Sequence, residues 1–294
     1  MSHWKTQLKV KINKIFLPFL LINVGTILFY GLFRWVFDVK LGVLNIYVDI
    51  LDFWVSILLS WVAILIWMRP RLKVLKHRER SRFDNYWTIQ SLMSLVIFVP
   101  VLSSQEYIVQ AGYDLIEINS IEQVSDFPNE KYFHLNNFIL NTDQSASYTV
   151  ARTSGKANQY LNYSSYTAIP FKEGNNVFLG FHYAESLSNR LSDHEKNTLY
   201  SGFLNNADQA LKTASFYSAQ YFERVPNSRD LKAYLNAVET MATNPQVNQA
   251  IILKPVYKSF EQRSGHKVDW ILGTFAAGVV FIFVLLMFYE VKPS

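Results

Sequence analysis

The stretch M-R-P-R-L-K-V-L-K-H-R-E-R-S-R-F-D-N-Y at residues 68–86 decides the fold, because it is a short basic loop between two apolar runs of membrane-spanning length. It holds seven Lys and Arg side chains against two acidic ones. Basic loops of membrane proteins are retained on the cytoplasmic side. We therefore predict that this loop is cytoplasmic and that its seven basic residues determine the topology: Arg69, Arg71, Lys73, Lys76, Arg78, Arg80 and Arg82.

Four apolar runs predict four transmembrane α-helices, because roughly 20 helical residues cover the hydrocarbon core of a bilayer. The expected spans are about 15–37, 47–68, 87–104 and 269–289. The first run is too long for the apolar region of a signal peptide, and no small-residue cleavage site follows it, so we expect it to be uncleaved. Residues 1–104 then form a three-span membrane region, and residues 268–294 form the fourth span with a short cytoplasmic tail.

The placement of charge agrees with this topology. Residues 1–14 contain four Lys and no acidic residue, whereas residues 105–267 contain 14 Lys and Arg against 16 Asp and Glu. With the basic loop inside, both termini are cytoplasmic and residues 105–267 are extracytoplasmic. The net charge of +5 lies beside the spans, where topology requires it. We therefore expect the lipid bilayer, and no nucleic acid, to be a partner.

The segment 105–267 predicts an α+β domain inserted between the third and fourth spans. Aromatic and β-branched residues separated by turn signals predict strands over 107–118, 131–141, 146–152, 166–171 and 176–184. A helix is expected from Asp193 to about Leu211, capped by Ser192 and Glu195, with a continuation or second helix through Tyr221. Another helix should run to about Thr243, and residues 248–257 should form a closing strand.

The charges Arg34, Asp49 and Asp52 form a candidate interfacial ion pair near the outer ends of the first two spans. Ionisable residues within spans are costly and often functional, but at an interface they can also pair or reach water. Elsewhere, His182, Glu185, Asp193 and His194 match no compact metal motif. The chain has no cysteine, which excludes disulfides and thiolate metal sites, and we predict no cofactor.

Five further stretches of the sequence are informative together: L-P-F-L-L-I-N-V-G at 17–25, R-W-V-F-D-V-K at 34–40, R-P-R-L-K at 69–73, S-N-R-L-S-D-H-E-K at 188–196 and G-H-K-V-D-W-I-L-G-T-F at 265–275. They resemble the membrane region that precedes the catalytic core in some bacterial rhomboid-family intramembrane serine proteases. The resemblance covers nearly the whole chain. It implies three spans, an extracytoplasmic insertion and a further span in a bacterial cytoplasmic (inner) membrane.

The catalytic residues of that family have no counterpart here. Rhomboid proteolysis requires a Ser in a G-x-S-G motif and a His within a span. The sequence has no G-x-S-G, and its six His residues lie outside the predicted spans. We therefore expect a non-enzymatic protein whose outer domain binds or senses a partner, either another membrane protein or a second copy. The alternatives are a protease component whose catalytic core acts in trans, or a hydrolase with its site in the outer domain.

Overall fold

The computed structural model of this protein describes residues 2–44, 46–76, 85–174, 176–241 and 247–292. The chain divides into two compact units. The helical unit is Met1–Gly112 with Ser264–Ser294, and the sheet domain is Tyr113–Arg263. Three of the predicted topology-determining residues, Arg78, Arg80 and Arg82, lie outside the described residues.

Four helices of the helical unit are long and apolar enough to cross a membrane, which confirms that part of the prediction. They are α1 (Trp4–Lys40), α2 (Ile50–Leu72), α3 (Asn85–Ala111) and α6 (Lys267–Met287). At 1.5 Å per residue, α1 is about 55 Å long and exceeds the roughly 30 Å of a hydrocarbon core. Part of α1 therefore extends beyond the span that we predicted.

The third helix is longer than the sequence indicated. The span expected over about 87–104 is part of α3, which includes Pro100 and continues to Ala111. The predicted strand at 107–118 is therefore wrong over 107–111, and β1 covers only Leu115–Glu117. The physical reason is packing, since Ser104 and Gln105 are buried. Because the helix continues past Pro100, Ser104 and Gln105 stay on a buried face of α3.

The interior of the helical unit is apolar, with Ile15, Phe19, Ile64, Met93 and Ile282 all fully buried. Helix α6 packs closely on α3 at Gly278, where a Cβ atom would lie 2.5 Å from the Val96 side chain. Small residues permit such close approach of membrane helices. Gly273, one of the small residues in the same helix, has open space instead.

One end of the helical unit gathers the N-terminal segment, the basic loop and the C-terminal tail. The Lys11 ammonium lies 3.5 Å from the Met287 carbonyl oxygen. The backbone N–H of Lys76 donates to Glu290, and that of Lys292 donates to Val74. The chain leaves the helical unit at Gly112 and returns to it at Ser264.

The sheet domain is built on a mixed seven-stranded sheet with the order β1-β2-β6-β7-β5-β4-β3. The β1–β2 and β5–β7 pairs are parallel and the other four are antiparallel. After β1, the strands are β2 (Tyr132–His134), β3 (Ala146–Ser154), β4 (Tyr160–Pro170), β5 (Val177–Ser188), β6 (Tyr221–Arg224) and β7 (Ile251–Val256). Strand β6 replaces the end of the helix predicted through Tyr221, because Tyr221 and Phe222 are core residues of the sheet.

Two helices pack on opposite faces of this sheet. Helix α4 (Asp193–Thr213) begins with the predicted capping box of Ser192 and Glu195, and its Phe203 ring contacts Tyr163. Helix α5 (Arg229–Glu239) places Tyr234 against Tyr166. Successive side chains of a strand alternate between faces, so Tyr163 and Tyr166 of β4 point to opposite sides.

Candidate functional site

A buried cation lies between the first two helices. Arg34 of α1 is 0% exposed. Its Nε and one terminal nitrogen lie 3.0 and 2.9 Å from Asp38 Oδ2, and its other terminal nitrogen lies 2.7 Å from Asp52 Oδ1. The guanidinium therefore joins a carboxylate of its own helix to one of α2.

Local helical geometry holds this cluster. Asp38 lies in a π-helical segment of α1, Trp35–Lys40, and Asp52 lies in a π-helical segment of α2, Ile50–Val55. Such segments are rare and occur frequently at functional sites. Next to the cluster, the buried Tyr30 hydroxyl donates to the Leu51 carbonyl at 2.5 Å. These contacts connect α1 directly to α2.

The structure brings together two of the three residues that the sequence proposed as an ion pair, Arg34 and Asp52. Asp49 is exposed and lies directly before the first residue of α2. The sequence interpretation missed Asp38, although its position four residues after Arg34 is the usual spacing for a helical ion pair. Because Arg34 is buried, it pairs with carboxylates rather than extending to the surface. Removing one partner of a buried ion pair is strongly destabilising.

A second cluster lies on the sheet face that α5 covers. The Tyr166 hydroxyl donates to Asp230 Oδ1 at 2.9 Å, and the Lys254 ammonium lies 3.1 Å from Asp230 Oδ2. The His182 ring stacks on Tyr166 with a centroid distance of 4.6 Å. The Tyr234 ring meets Tyr166 edge-on at 5.1 Å. Five titratable side chains from β4, β5, β7 and α5 therefore converge.

The protonation states of this cluster follow from burial and from Asp230. Burial, then the hydrogen bond to Asp230, raises the pKa of Tyr166 to about 12. Burial also raises the pKa of Tyr234. It lowers the pKa of His182, with Lys254 acting in the same direction and Asp230 opposing. For Asp230, burial acts upward, but Lys254 and the Tyr166 hydroxyl outweigh it and the pKa is lowered.

These states define what the cluster can do chemically. Asp230 is an anchored carboxylate, because a hydroxyl and an ammonium both bind it. Tyr166 keeps its proton at neutral pH. One face of the His182 ring is covered by Tyr166 while the residue keeps access to solvent, and its lowered pKa favours a neutral imidazole, which can donate one hydrogen bond and accept one. The cluster suits recognition of a polar group more than activation of a nucleophile.

The sequence did not reveal this cluster, although His182 was one of the four residues considered there as metal ligands and set aside. The other candidates lie elsewhere: Glu185 accepts hydrogen bonds from Tyr183 and Asn206, and His194 is in α4. In the part of the chain that the structure describes, no group of three or more His, Cys, Asp or Glu side chains is arranged to hold a metal ion. Only the strand register shows that Tyr166 is directly opposite His182.

Beyond Tyr166 and His182, the same sheet face continues over the outer parts of β3, β4 and β5. Residues directly opposite each other on antiparallel strands share a face, and the next row on that face is two residues further along. Three more rows follow: Val150, Ser164 and Ala184; then Arg152, Asn162 and Ser186; then Ser154, Tyr160 and Ser188. We call these nine residues the open face, because all are exposed or half-buried.

No protein-family model matches this chain, and neither a characterised protein nor a solved structure matches it. The resemblance to the membrane region of rhomboid proteases therefore stays a prediction.

Proposed function

We propose that this is an integral protein of a bacterial inner membrane, without catalytic activity of its own, whose sheet domain is extracytoplasmic and binds or senses a partner. The four apolar helices support membrane insertion. Hydrogen bonds connect the N-terminal segment to the end of α6, and the basic loop to the C-terminal tail. These contacts support a common cytoplasmic side for the three segments. Lys and Arg mark that side.

The topology can be tested directly, because the chain contains no cysteine. Single cysteines at Ser186 in β5 and at Lys73 in the basic loop need no further changes to the background. A membrane-impermeant maleimide applied to spheroplasts should label Ser186→Cys. Lys73→Cys should be labelled only after lysis. Labelling of Lys73→Cys in sealed cells would contradict the proposed orientation.

The observation that best supports partner binding is the open face. Helix α4 covers the opposite face of the same strands, where Phe203 packs on Tyr163 and Tyr183. The open face instead presents hydroxyl, amide and guanidinium groups beside the exposed Tyr160, which is 47% accessible. Tyr and Arg are enriched in protein interfaces. The face also adjoins the Tyr166–His182 pair.

Site-specific crosslinking can test this surface. Ser186→Cys places a reactive group on the open face, and Asn205→Cys places one on the exposed side of α4 as the matched control. With a short bifunctional crosslinker applied to whole cells, Ser186→Cys should form a defined adduct that Asn205→Cys does not. Mass spectrometry of the adduct identifies the partner. Equal crosslinking at both positions would remove the case for the open face.

A second candidate function is supported by the convergence of Tyr166, His182, Asp230 and Lys254. Convergent titratable groups with shifted pKa values are typical of enzyme sites. A hydrolase would lose activity with Asp230→Asn on a panel of ester and peptide substrates.

If the crosslinked partner is instead a protease core, the chain is the accessory part of an intramembrane protease that acts in trans. Recovery of self-crosslinks alone would count against that alternative.

A further inference from the structure

We infer that the helical unit contains a specific site for one anionic phospholipid, with an acyl chain between α1 and α2 and the phosphate at their basic end. This inference depends on the proposed membrane insertion. The site is an open groove of about 350 Å³. Its walls are four residues of α1 between Ile22 and Phe29, and four residues of α2 between Leu59 and Trp67.

The chemistry of the groove selects an acyl chain. Seven of its eight lining residues have apolar side chains or none, and the eighth is Thr26. The Thr26 hydroxyl donates to the Ile22 carbonyl at 2.7 Å, so it is already engaged within its own helix. Gly25 forms part of the wall, and a Cβ atom there would meet nothing within 4 Å. The groove therefore accepts a flexible hydrocarbon without requiring a hydrogen bond from it.

The charge at one end of the groove selects the headgroup. Trp67 is the lining residue nearest the basic loop, and a terminal nitrogen of the Arg71 guanidinium donates to the Trp67 carbonyl. Arg69 and Lys73 are exposed, and neither they nor Arg71 forms an ion pair with an acidic residue in the described parts of the chain. On α1, Lys14 lies eight residues before Ile22, or about 12 Å along the helix toward the same end.

An anionic phospholipid satisfies both features at once. Basic pockets between membrane helices on the cytoplasmic side bind anionic headgroups, and Arg can bind a phosphate with two hydrogen bonds. A zwitterionic lipid offers the same chain but a weaker electrostatic match. A helix of another protein would fill the apolar groove and leave the guanidinium groups without an anion.

The test uses the full-length protein in vesicles in which 20% of the lipid has brominated acyl chains, either phosphatidylglycerol or phosphatidylcholine. Bromine quenches nearby tryptophans, and the difference between the wild type and Trp67→Phe isolates the signal from the groove. We expect brominated phosphatidylglycerol to quench Trp67 at least about threefold more than brominated phosphatidylcholine. Equal quenching by the two lipids would overturn the inference.

Two variants separate the groove from the headgroup site. Gly25→Leu fills the groove without a backbone clash and should abolish the difference between the lipids. Gly273→Leu is the matched control, since it adds the same bulk in open space on α6 and should leave the difference unchanged. The double change Arg69→Gln and Arg71→Gln should reduce the difference. A difference that persists in Gly25→Leu, or that is as large in the double variant as in the wild type, would refute the assigned site.

Failure of membrane insertion gives a different result from failure of the lipid site. Vesicle flotation in a density gradient, after a carbonate wash, measures insertion independently of bromine quenching. A protein that floats but shows equal quenching by both lipids retains the proposed membrane function and loses only the lipid site. A protein that does not float refutes the membrane function itself.

Discussion

The helical unit and the sheet domain distribute polarity in opposite ways. In the helical unit, Arg34 is fully buried while Leu21 and Leu28 are 73% and 65% exposed. In the sheet domain, Phe133 and Leu253 are fully buried, and the Asp230–Lys254 pair lies at the margin with side chains 43% and 33% exposed. The first arrangement suits a hydrocarbon solvent and the second suits water. The energetic importance of a charge should therefore differ between the two units.

The largest expected effect is on the buried cation of the helical unit. Arg34→Gln removes the positive charge that contacts both Asp38 and Asp52. It should lower the stability of the helical unit by about 3–5 kcal/mol, because two carboxylates lose their counter-charge. Thermal unfolding in detergent micelles measures this loss.

The matched control for that change is Asp49→Asn, since Asp49 is exposed and lies directly before the helix that contains Asp52. It should alter the stability by less than about 0.5 kcal/mol. Asp52→Asn leaves the Arg34–Asp38 pair intact and should give an intermediate loss of about 1.5–3 kcal/mol. Equal effects of Asp49→Asn and Arg34→Gln would mean that burial does not set the importance of these charges.

The next largest effect concerns the contact between α3 and α6. Gly278→Val would place its Cβ 2.5 Å from a methyl carbon of Val96, so the Val96 side chain or one of the helices must shift. A cost of about 1–3 kcal/mol is typical of overpacking. Gly273→Val, five residues earlier in α6, adds the same atoms in open space and should cost far less. The same thermal measurement compares them, and equal destabilisation would contradict the packing of α6 on α3.

These paired variants also separate the features that sequence alone predicts from those that it does not. Hydropathy located four apolar helices because about 20 consecutive apolar residues are a strong signal, and alternation of aromatic and β-branched residues located most of the sheet. Sequence alone could not predict that Gly278 is packed while Gly273 has open space, since this difference depends on which side of α6 faces Val96. The Tyr166–Asp230 contact was also invisible, because it joins residues 64 positions apart. Strand β6 was not predicted for the same reason, because its partners β2 and β7 are distant in sequence.

A smaller effect is expected from the two tyrosines of the sheet domain. Tyr166→Phe removes the hydroxyl that donates to Asp230 and should cost about 1–2 kcal/mol. Tyr234→Phe is the comparison, because the buried Tyr234 hydroxyl has no hydrogen-bond partner among the described residues. Its removal should be neutral or slightly stabilising. Hydrogen exchange of the β4 and α5 amides, read by mass spectrometry, measures both, and a greater loss in Tyr234→Phe would contradict the hydrogen-bond assignment.

The smallest effect is the pH dependence that His182 gives to the sheet domain. Its pKa is lowered in the folded state, so the unfolded chain binds this proton more readily below about pH 6.5. The stability that depends on neutral His182 is complete above pH 6.5 and is lost as the pH falls toward the folded-state pKa. The lowered pKa of Asp230 acts only in a more acidic range, below its ordinary value of 3.8.

The urea midpoint of the sheet domain, followed by near-ultraviolet ellipticity, should therefore fall between pH 7 and pH 5.5 in the wild type. His182→Gln removes the titrating group and should make this fall smaller, whereas His194→Gln, on the exposed surface of α4, should retain it. A fall of the same size in His182→Gln would mean that the acid sensitivity originates elsewhere. Since His182 borders the open face, the same comparison shows whether His182 takes up a proton beside the surface at which we propose that a partner binds.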